Sequence, residues 1–560
     1  MENTALDLSH YRVLLVDDSQ ELLNNLRRLL EVDGCKIVTA TSRSEALAHL
    51  QSKLFHIAVI DVRLIDDDPR NRDGLQLVRD IREMDPSVGI IIMSVHADIQ
   101  DVLDMIQRLP GKTGVFEVSR SLASKFVYKI PAELEKLPDM VYQVFQDAVQ
   151  IDWTLRINDP RGVLNTLSCN IHCTKLPQPA PEQLVVELDE LLRKLFASHG
   201  RIDLLPIAPH KSGFSKAHVI QVDRYEGGEK GATQIAKLGE HPLIEREIMC
   251  YREHINRLTN VNRHPVALTP IHRTRTLGGM IYTFLNMNGR IVDFAEVYQR
   301  VNRQDRIDHL LTNLFTDTLS MQRRHTHGLF EGANLGNVYK NLLRLDPVEL
   351  VAKQEELLTL VKAIRRGEHA KKIYLRDGTG LLNPTEFALN EPLVNDFYES
   401  TIHGDLHGRN VLVDHRWDTW LIDFADMGRG PKLQDFITME CWLLISSIEN
   451  LGWMPLFNWA KVLFASRDEF YPELPDSLKL ILPIAKAHRS IMTVRRLAVE
   501  GRMGDTTVAR RAYLIGLMFT LLRLMTSKFL PSLKRFHAFV CAALIAGLLS
   551  NSPRKTGMLI

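Results

Sequence analysis

The sequence predicts a multidomain chain of α/β followed by α+β class: an amino-terminal doubly wound, five-stranded parallel sheet, then a β-rich segment that passes into a long helical one. Three observations carry this expectation. Short apolar β-forming runs alternate with amphipathic helical patterns through the first part of the chain, the form taken by a parallel sheet covered on both faces. Carboxylates and other polar groups stand where those runs end. Much later, Val411–Val413 and Trp420–Ile422 bracket a charged turn within a segment, Ile402 to Asp423, whose two ends present acidic or amide side chains, which reads as a hairpin with functional ends.

Length and composition set the outer bounds. A chain of 560 residues exceeds what one core supports, and 45% hydrophobic with 24% charged residues is ordinary for globular protein. With 69 basic against 68 acidic residues and a formal charge of +1, no overall field favours nucleic acid or an anionic membrane, and no nucleic-acid partner is expected. The six cysteines form no disulfide framework, as in a reducing compartment. Cys169, His172 and Cys173 offer three soft ligands without the fourth that a closed zinc site needs, so they read as ordinary thiols and a lone histidine. Met1 to His10 lacks the charge and apolar pattern of a leader, and Ala538 to Leu549 is too short to span a bilayer. The expectation is a cytoplasmic protein with no membrane span.

The first strand is Tyr11 to Val16, ending in Asp17-Asp18, and the helix after it places Leu22, Leu23, Leu26, Leu29 and Leu30 on one face before Gly34 closes it. Lys36 to Thr39, His56 to Ile60, Gly89 to Met93 and Lys125 to Tyr128 supply four more runs. Asp17, Asp18 and Asp61 then share one rim of the sheet, where three carboxylates repel one another unless a divalent cation binds. Ser94 ends the fourth strand and Lys129 the fifth.

This constellation, over about residues 1–150, resembles the receiver domain of bacterial response regulators. The resemblance implies that Asp61 is the phospho-acceptor, that Asp17, Asp18 and Asp61 hold Mg²⁺, that Ser94 is the switch hydroxyl and that Lys129 pairs with the phosphate, with Lys125 as the alternative lysine. It also implies a cognate sensor histidine kinase as partner. Two features depart from the usual pattern: the loop after Asp61 is long and acidic, and a glycine-containing insert separates Ser94 from Lys129, which Ile130-Pro131 follows. A receiver used only for docking is the alternative.

Residues 151–183, interrupted by Pro160, Pro177, Pro179 and Pro181, read as a connector. Leu184 to Phe196 has helical periodicity. Leu204 to Ile207 and Val219 to Val222 read as strands around Lys211 to Ala217, a turn of small and basic residues whose backbone N–H groups, around Gly213 and Ser215, suit phosphate oxygens. Ile235 to Leu238 is a strand carrying Lys237, followed by a helix with Glu245 and Glu247, and Met280 to Leu285 is a further strand. Residues 184–286 thus form a β-rich part and 287–560 a helical part, with a partly helical insertion at about 331–398.

The segment His403-Gly404-Asp405-Leu406-His407, then Asn410, then Ile422-Asp423-Phe424 supplies a carboxylate that can accept a hydroxyl proton and oxygen ligands for a metal. It is similar to the catalytic and metal loops of the aminoglycoside phosphotransferase and choline kinase branch of the protein-kinase-like fold. That resemblance implies a bilobal domain using ATP and Mg²⁺. Asp405 becomes the catalytic base, Asn410 and Asp423 metal ligands, Lys237 the phosphate lysine and Glu247 its partner; adenine would bond the hinge near Phe284 to Asn286, and Gly213 and Ser215 would lie over the phosphates. Asp435 suits a structural acid facing the motif loop. The acceptor, a small molecule or a protein, is left open. The alternative output is a nucleotide-sensing or protein-binding module without turnover; keeping Asp405, Asn410, Asp423 and Lys237 together favours the catalytic reading.

Overall fold

The computed structural model of the chain describes residues 8–31, 34–65, 68, 70–95, 124–171, 173, 178–197, 199–206, 217–231, 234–258, 266–269, 271–284, 292–324, 326–360, 364–365, 371–375, 378–466, 469–499 and 506–550. They form two compact units. The first holds Met1–Pro206, Ser215–Met249 and Ala267–Thr283, and the second Ile207–Phe214, Cys250–Val266 and Phe284–Ile560.

The first unit begins with β1 (Arg12–Val16), α1 (Gln20–Glu31), β2 (Lys36–Ala40), α2 (Arg43–Ser52), β3 (Ile57–Asp61), α3 (Asp73–Met84), β4 (Gly89–Ser94), β5 (Lys125–Tyr128) and α4 (Leu137–Val144). The five strands lie in the order β2-β1-β3-β4-β5, all parallel. β1, β3 and β4 are apolar on both faces because both are covered: Leu14, Ile60 and Ile92 pack one way with α2 and α3, while Val13, Val59 and Ile91 pack the other way with α1 and α4.

The segment read as a connector carries structure of its own. It supplies β6 (Arg156–Asn158) and α5 (Val163–Asn170), and α6 (Pro181–Leu195) follows. An eight-stranded sheet then gathers β6, β7 (Arg201–Pro206), β8 (His218–Glu226), β9 (Glu229–Lys230), β10 (Gln234–Glu240), β11 (Val266–Leu268), β12 (His272–Arg273) and β13 (Leu277–Phe284), with path β11-β13-β10-β8-β7-β6. The amphipathic face of α6, with Leu188, Leu191, Leu192 and Leu195, packs on Leu238, Leu277 and Ile281 of this sheet. Gly279 is small where α6 passes: a Cβ there would lie 2.8 Å from Leu195 Cδ1. Helix α7 (His241–Leu258) follows β10 directly.

In the second unit come β14 (Val292–Asp293), α8 (Phe294–Arg300), α9 (Gln304–Asn313) and β15 (Thr326–Asn334). An insertion follows, with α10 (Leu335–Leu342), α11 (Pro347–Leu360), the short strands β16 (Ile364–Arg365), β17 (Lys372–Tyr374) and β18 (Gly380–Leu382), and α12 (Pro384–Asn390). β19 (Val394–Ile402) returns antiparallel to β15. The hairpin β20 (Val411–Val413) and β21 (Thr419–Leu421), then β22 (Gly428–Pro431), α13 (Gln434–Cys441), α14 (Trp453–Leu463), α15 (Leu482–Val499), α16 (Thr506–Met525) and α17 (Ser532–Ser550) complete the described part. The run expected to be too short for a bilayer lies in α17, whose 19 residues are long and apolar enough to cross one; 67% of its apolar window is buried, and it packs on α14, α16, α11 and α12. The core of this helical part also encloses charge: Arg495 pairs with Glu440 at 2.7 Å, and the Tyr513 hydroxyl donates to the same carboxylate at 2.6 Å.

Candidate functional site

Parallel pairing puts the carboxyl ends of β1, β3, β4 and β5 on one rim of the first sheet. There Asp17, Asp18 and Asp61 each offer a carboxylate oxygen within 4.8 Å of the others. The Lys129 ammonium reaches in between, 2.8 Å from Asp17 Oδ2 and 2.9 Å from Asp61 Oδ2. Burial raises the Asp61 carboxyl to about 6, with Lys129 opposing that rise and Asp17 and Asp18 adding to it. Burial would lower Lys129, but its bonds to Asp17 and Asp61 prevail and raise it. Lys125, the other candidate, points elsewhere and donates to Gln143 at 2.6 Å. Ser94 is buried and stands in register with Tyr128, and its carbonyl accepts from the Lys129 N–H at 2.9 Å. α3 starts hard against the site, because a Cβ on Gly74 would sit 1.7 Å from the Asp61 carbonyl oxygen.

An all-oxygen set of carboxylates gathered this closely, held meanwhile by one ammonium, fits Mg²⁺. Asp17, Asp18 and Asp61 would hold the ion.

Also in the first unit, Lys237 lies at the centre of β10 between β8 and β13. Its ammonium is 2.5 Å from Glu247 Oε2 on α7, with side chains 2% and 0% exposed. The Tyr282 hydroxyl donates to Glu247 Oε1. Glu245 turns instead to Arg273 and His241. The residues sequence reasoning missed here are Tyr282, and Glu187 and Glu190 on α6. Acids on a helix read as a solvated face, whereas Glu187 accepts from Thr274 Oγ1 at 2.7 Å and from the Thr276 N–H at 2.8 Å. Glu190 accepts from Arg12 Nη2 at 2.7 Å and from His56 Nε2 at 3.2 Å. Gly213, Ser215 and Asn286 lie outside the described residues; Phe284 ends β13.

In the second unit the motif loop is fixed by backbone bonds. The fully buried Asp435 accepts from the N–H groups of His403 at 2.9 Å and Gly404 at 3.0 Å, and from Gln322 Nε2 at 2.6 Å. Burial raises its carboxyl; the His403 ring and these donors oppose the rise. Gly404 has φ +87° and sits so close to Asp426 that a Cβ would meet its carbonyl oxygen at 2.3 Å. Asn410 donates through Nδ2 to the Asp405 carbonyl at 2.8 Å, and its own carbonyl accepts from Ile422 N–H at 3.1 Å, which ties the loop to the segment carrying Asp423. Asp423 adopts φ 68°, a left-handed conformation that non-glycine residues take mainly at turns and functional positions. The Asp405 carboxylate is 40% exposed with His407 Nε2 3.7 Å away. This carboxylate is open to solvent while the residue's backbone carbonyl is held by Asn410.

The rim of acids, the buried Ser94 and the bridging Lys129 on a five-stranded parallel sheet have the architecture of a receiver domain of the two-component class. The model of the response regulator receiver domain matches residues 13–109. The chain belongs to the family described as ternary complex associated domain 9, whose model matches residues 205–328 and 345–526, more than half of its length. Among relatives, the alginate biosynthesis transcriptional regulatory protein AlgB of Pseudomonas putida is 33% identical over 96 residues, 17% of this chain and 20% of that protein. The transcriptional regulatory protein GlrR of Escherichia coli is 31% identical over 138 residues, 25% of this chain and 26% of its own. The DNA-binding transcriptional regulator NtrC of Salmonella typhimurium is 24% identical over 257 residues, 41% of this chain and 51% of its own. The chain thus spans between a fifth and a half of these curated relatives. A CheY-like receiver domain protein from Methanospirillum hungatei aligns over 25% of this chain and 95% of its own, with 20% identity and a TM-score of 0.20.

Proposed function

We propose that the chain is a response regulator whose output is an ATP- and Mg²⁺-dependent phosphotransferase of kinase-like, bilobal fold, set by phosphorylation of Asp61. The observation that carries this reading is the buried pair Lys237–Glu247, backed by Tyr282. Burying two charges costs several kcal/mol per ion before their attraction is counted; the Arg495–Glu440 pair of the helical core is buried as deeply, and Lys237 differs in standing on a central strand opposite a helix glutamate. An ammonium held in place on a central strand suits the phosphates of a nucleotide.

In this reading Asp405 takes the proton of an acceptor hydroxyl as its oxygen bonds to the terminal phosphorus and the bond to the ADP oxygen breaks. Asn410 and Asp423 would hold Mg²⁺, which neutralises charge on the triphosphate. Asp435 keeps the backbone of His403 and Gly404 in place, so Asp405 meets the acceptor without reorganising. The domain division at 150, 183 and 286, the adenine contact near Phe284 and the phosphate turn around Gly213 and Ser215 belong to the same proposal.

The test follows label from γ-labelled ATP with Mg²⁺ and cell extract. Wild type should transfer label, and Asp405→Asn should lose it by about 10²–10⁴-fold while nucleotide binding persists. Equal transfer by both would remove Asp405 from this role. A second reading, a protein-association output without turnover, is supported by the family's description as a ternary complex associated domain. It predicts no label transfer at all, with a partner retained by the full chain.

A further inference from the structure

The receiver meets the rest of the first unit through the end of its sheet opposite the acidic rim. Arg12 begins β1, the strand that runs on to Asp17, and His56 immediately precedes β3, which ends at Asp61. The two strands pair in parallel. At one end Lys129 bridges Asp17 and Asp61; at the other, Glu190 of α6 accepts from both Arg12 and His56. His56 Nδ1 accepts from the Arg12 N–H at 3.0 Å, so its Nε2 carries the proton donated to Glu190. The two strands are clamped at both ends.

Helix α6 grips the second sheet with an adjacent acid. Glu187 takes the hydroxyl of Thr274 and the N–H of Thr276 at the turn between β12 and β13, and Lys194 donates to the Arg273 carbonyl at 2.8 Å. Arg275, in the same turn, donates to the Leu50 carbonyl of the receiver at 2.8 Å. From this turn β13 continues past Met280, in register with Lys237, to Tyr282, which bonds Glu247. Close-packed elements of this kind move as bodies rather than deforming continuously.

We propose that α6 is the relay of the receiver: a change in the bridge between Asp17 and Asp61 shifts β1 and β3 along their axes, and Glu190 carries the shift through α6 to the β12–β13 turn and so to Tyr282 and the Lys237–Glu247 pair. Glu190 is a positioning residue in this scheme. The inference rests on the phosphotransferase reading only for the meaning of its last step.

The experiment treats the full chain with beryllofluoride and Mg²⁺, confirms the adduct on Asp61 by its fluorine resonances, and follows amide hydrogen exchange in β13. Wild type should show at least a threefold change in β13 exchange. Glu190→Gln should keep the adduct yet lose the β13 response, and Arg12→Gln, which opens the same clamp from the receiver side, should do likewise. Adduct-bearing wild type with no β13 change, or either variant with an undiminished change, would overturn the relay. Titration of Mg²⁺-ATP is read separately: β13 responding in a chain that binds no nucleotide would defeat the phosphotransferase and leave the relay standing.

Discussion

At the residue scale, the ionisation of Glu190 makes its clamp sensitive to acid. Burial alone would raise this carboxyl, but the bond from His56 and the Arg12 guanidinium overcome it and hold the group at about 2. Burial lowers His56. A depressed carboxyl contributes stability that is complete above its unfolded value, about 4.3, and lost as pH falls towards the folded one. A depressed histidine acts in the same direction, because the unfolded chain takes up its proton first. The stability contributed by Glu190 and His56 should therefore fall as pH drops from about 6.5 towards 2, against the opposite contribution of the raised carboxyls of Asp17, Asp61 and Glu187, and Glu190→Gln should make the curve less steep below about pH 4.3. Thermal melts of both proteins across this range check it; parallel curves would count against the clamp. In the second unit, Asp435→Asn puts an amide donor among the N–H groups of His403 and Gly404. The cost should be about 1.5–3 kcal/mol, the range for hydrogen bonds to a charged group, seen as a lower urea midpoint. An unchanged midpoint would deny Asp435 its role in fixing the loop.

At the element scale, the hairpin β20–β21 holds Asn410 at its entrance and Asp423 just past its exit, so the motif loop is only as well placed as the hairpin's neighbours allow. One neighbour is decisive. Gly408 accepts from the Ala295 N–H at 2.9 Å, and a Cβ there would lie 2.5 Å from the Trp442 ring. Gly408→Ala should destabilise by about 1–3 kcal/mol through overpacking and impair label transfer. Trp442→Leu in the same chain should restore part of both, as measured by urea denaturation and transfer rate; no rescue would place the damage elsewhere. Alternation and motif spacing made this hairpin legible in the sequence. The strands of the receiver were legible for a similar reason: in a parallel sheet every strand ends on one side, so polar residues after apolar runs must share a rim. The sequence put Lys129 ahead of Lys125 but left both open, because the choice depends on the register of β5 against β4. Tyr282 was hidden too, since the face a strand residue takes is set by the sheet it joins.

At the scale of the whole molecule, α17 separates two readings of the same composition. Its length and hydropathy suit a membrane, whereas its position is that of a core helix. Wild-type protein should stay behind when lipid vesicles are floated, and Ala543→Asp, a charge set into a fully packed position, should abolish soluble expression. Flotation with vesicles and a harmless Ala543→Asp would reverse the assignment. The sequence showed the apolarity but not the partners, which come from the insertion and from α16, segments distant in the chain.

That packing also orders events during synthesis. The receiver's strands and helices are neighbours in sequence up to Val149, so its core can close while translation continues. The second unit has no such freedom: α10 packs on α16, and α11 and α12 on α17, so the ribbon of β15 and β19 emerges long before the helices that cover its insertion. The apolar faces of α11 and α12 must then wait, exposed, for α17 to leave the ribosome. During that interval the chain is most open to chaperones, to proteases and to pairing with another nascent copy of itself.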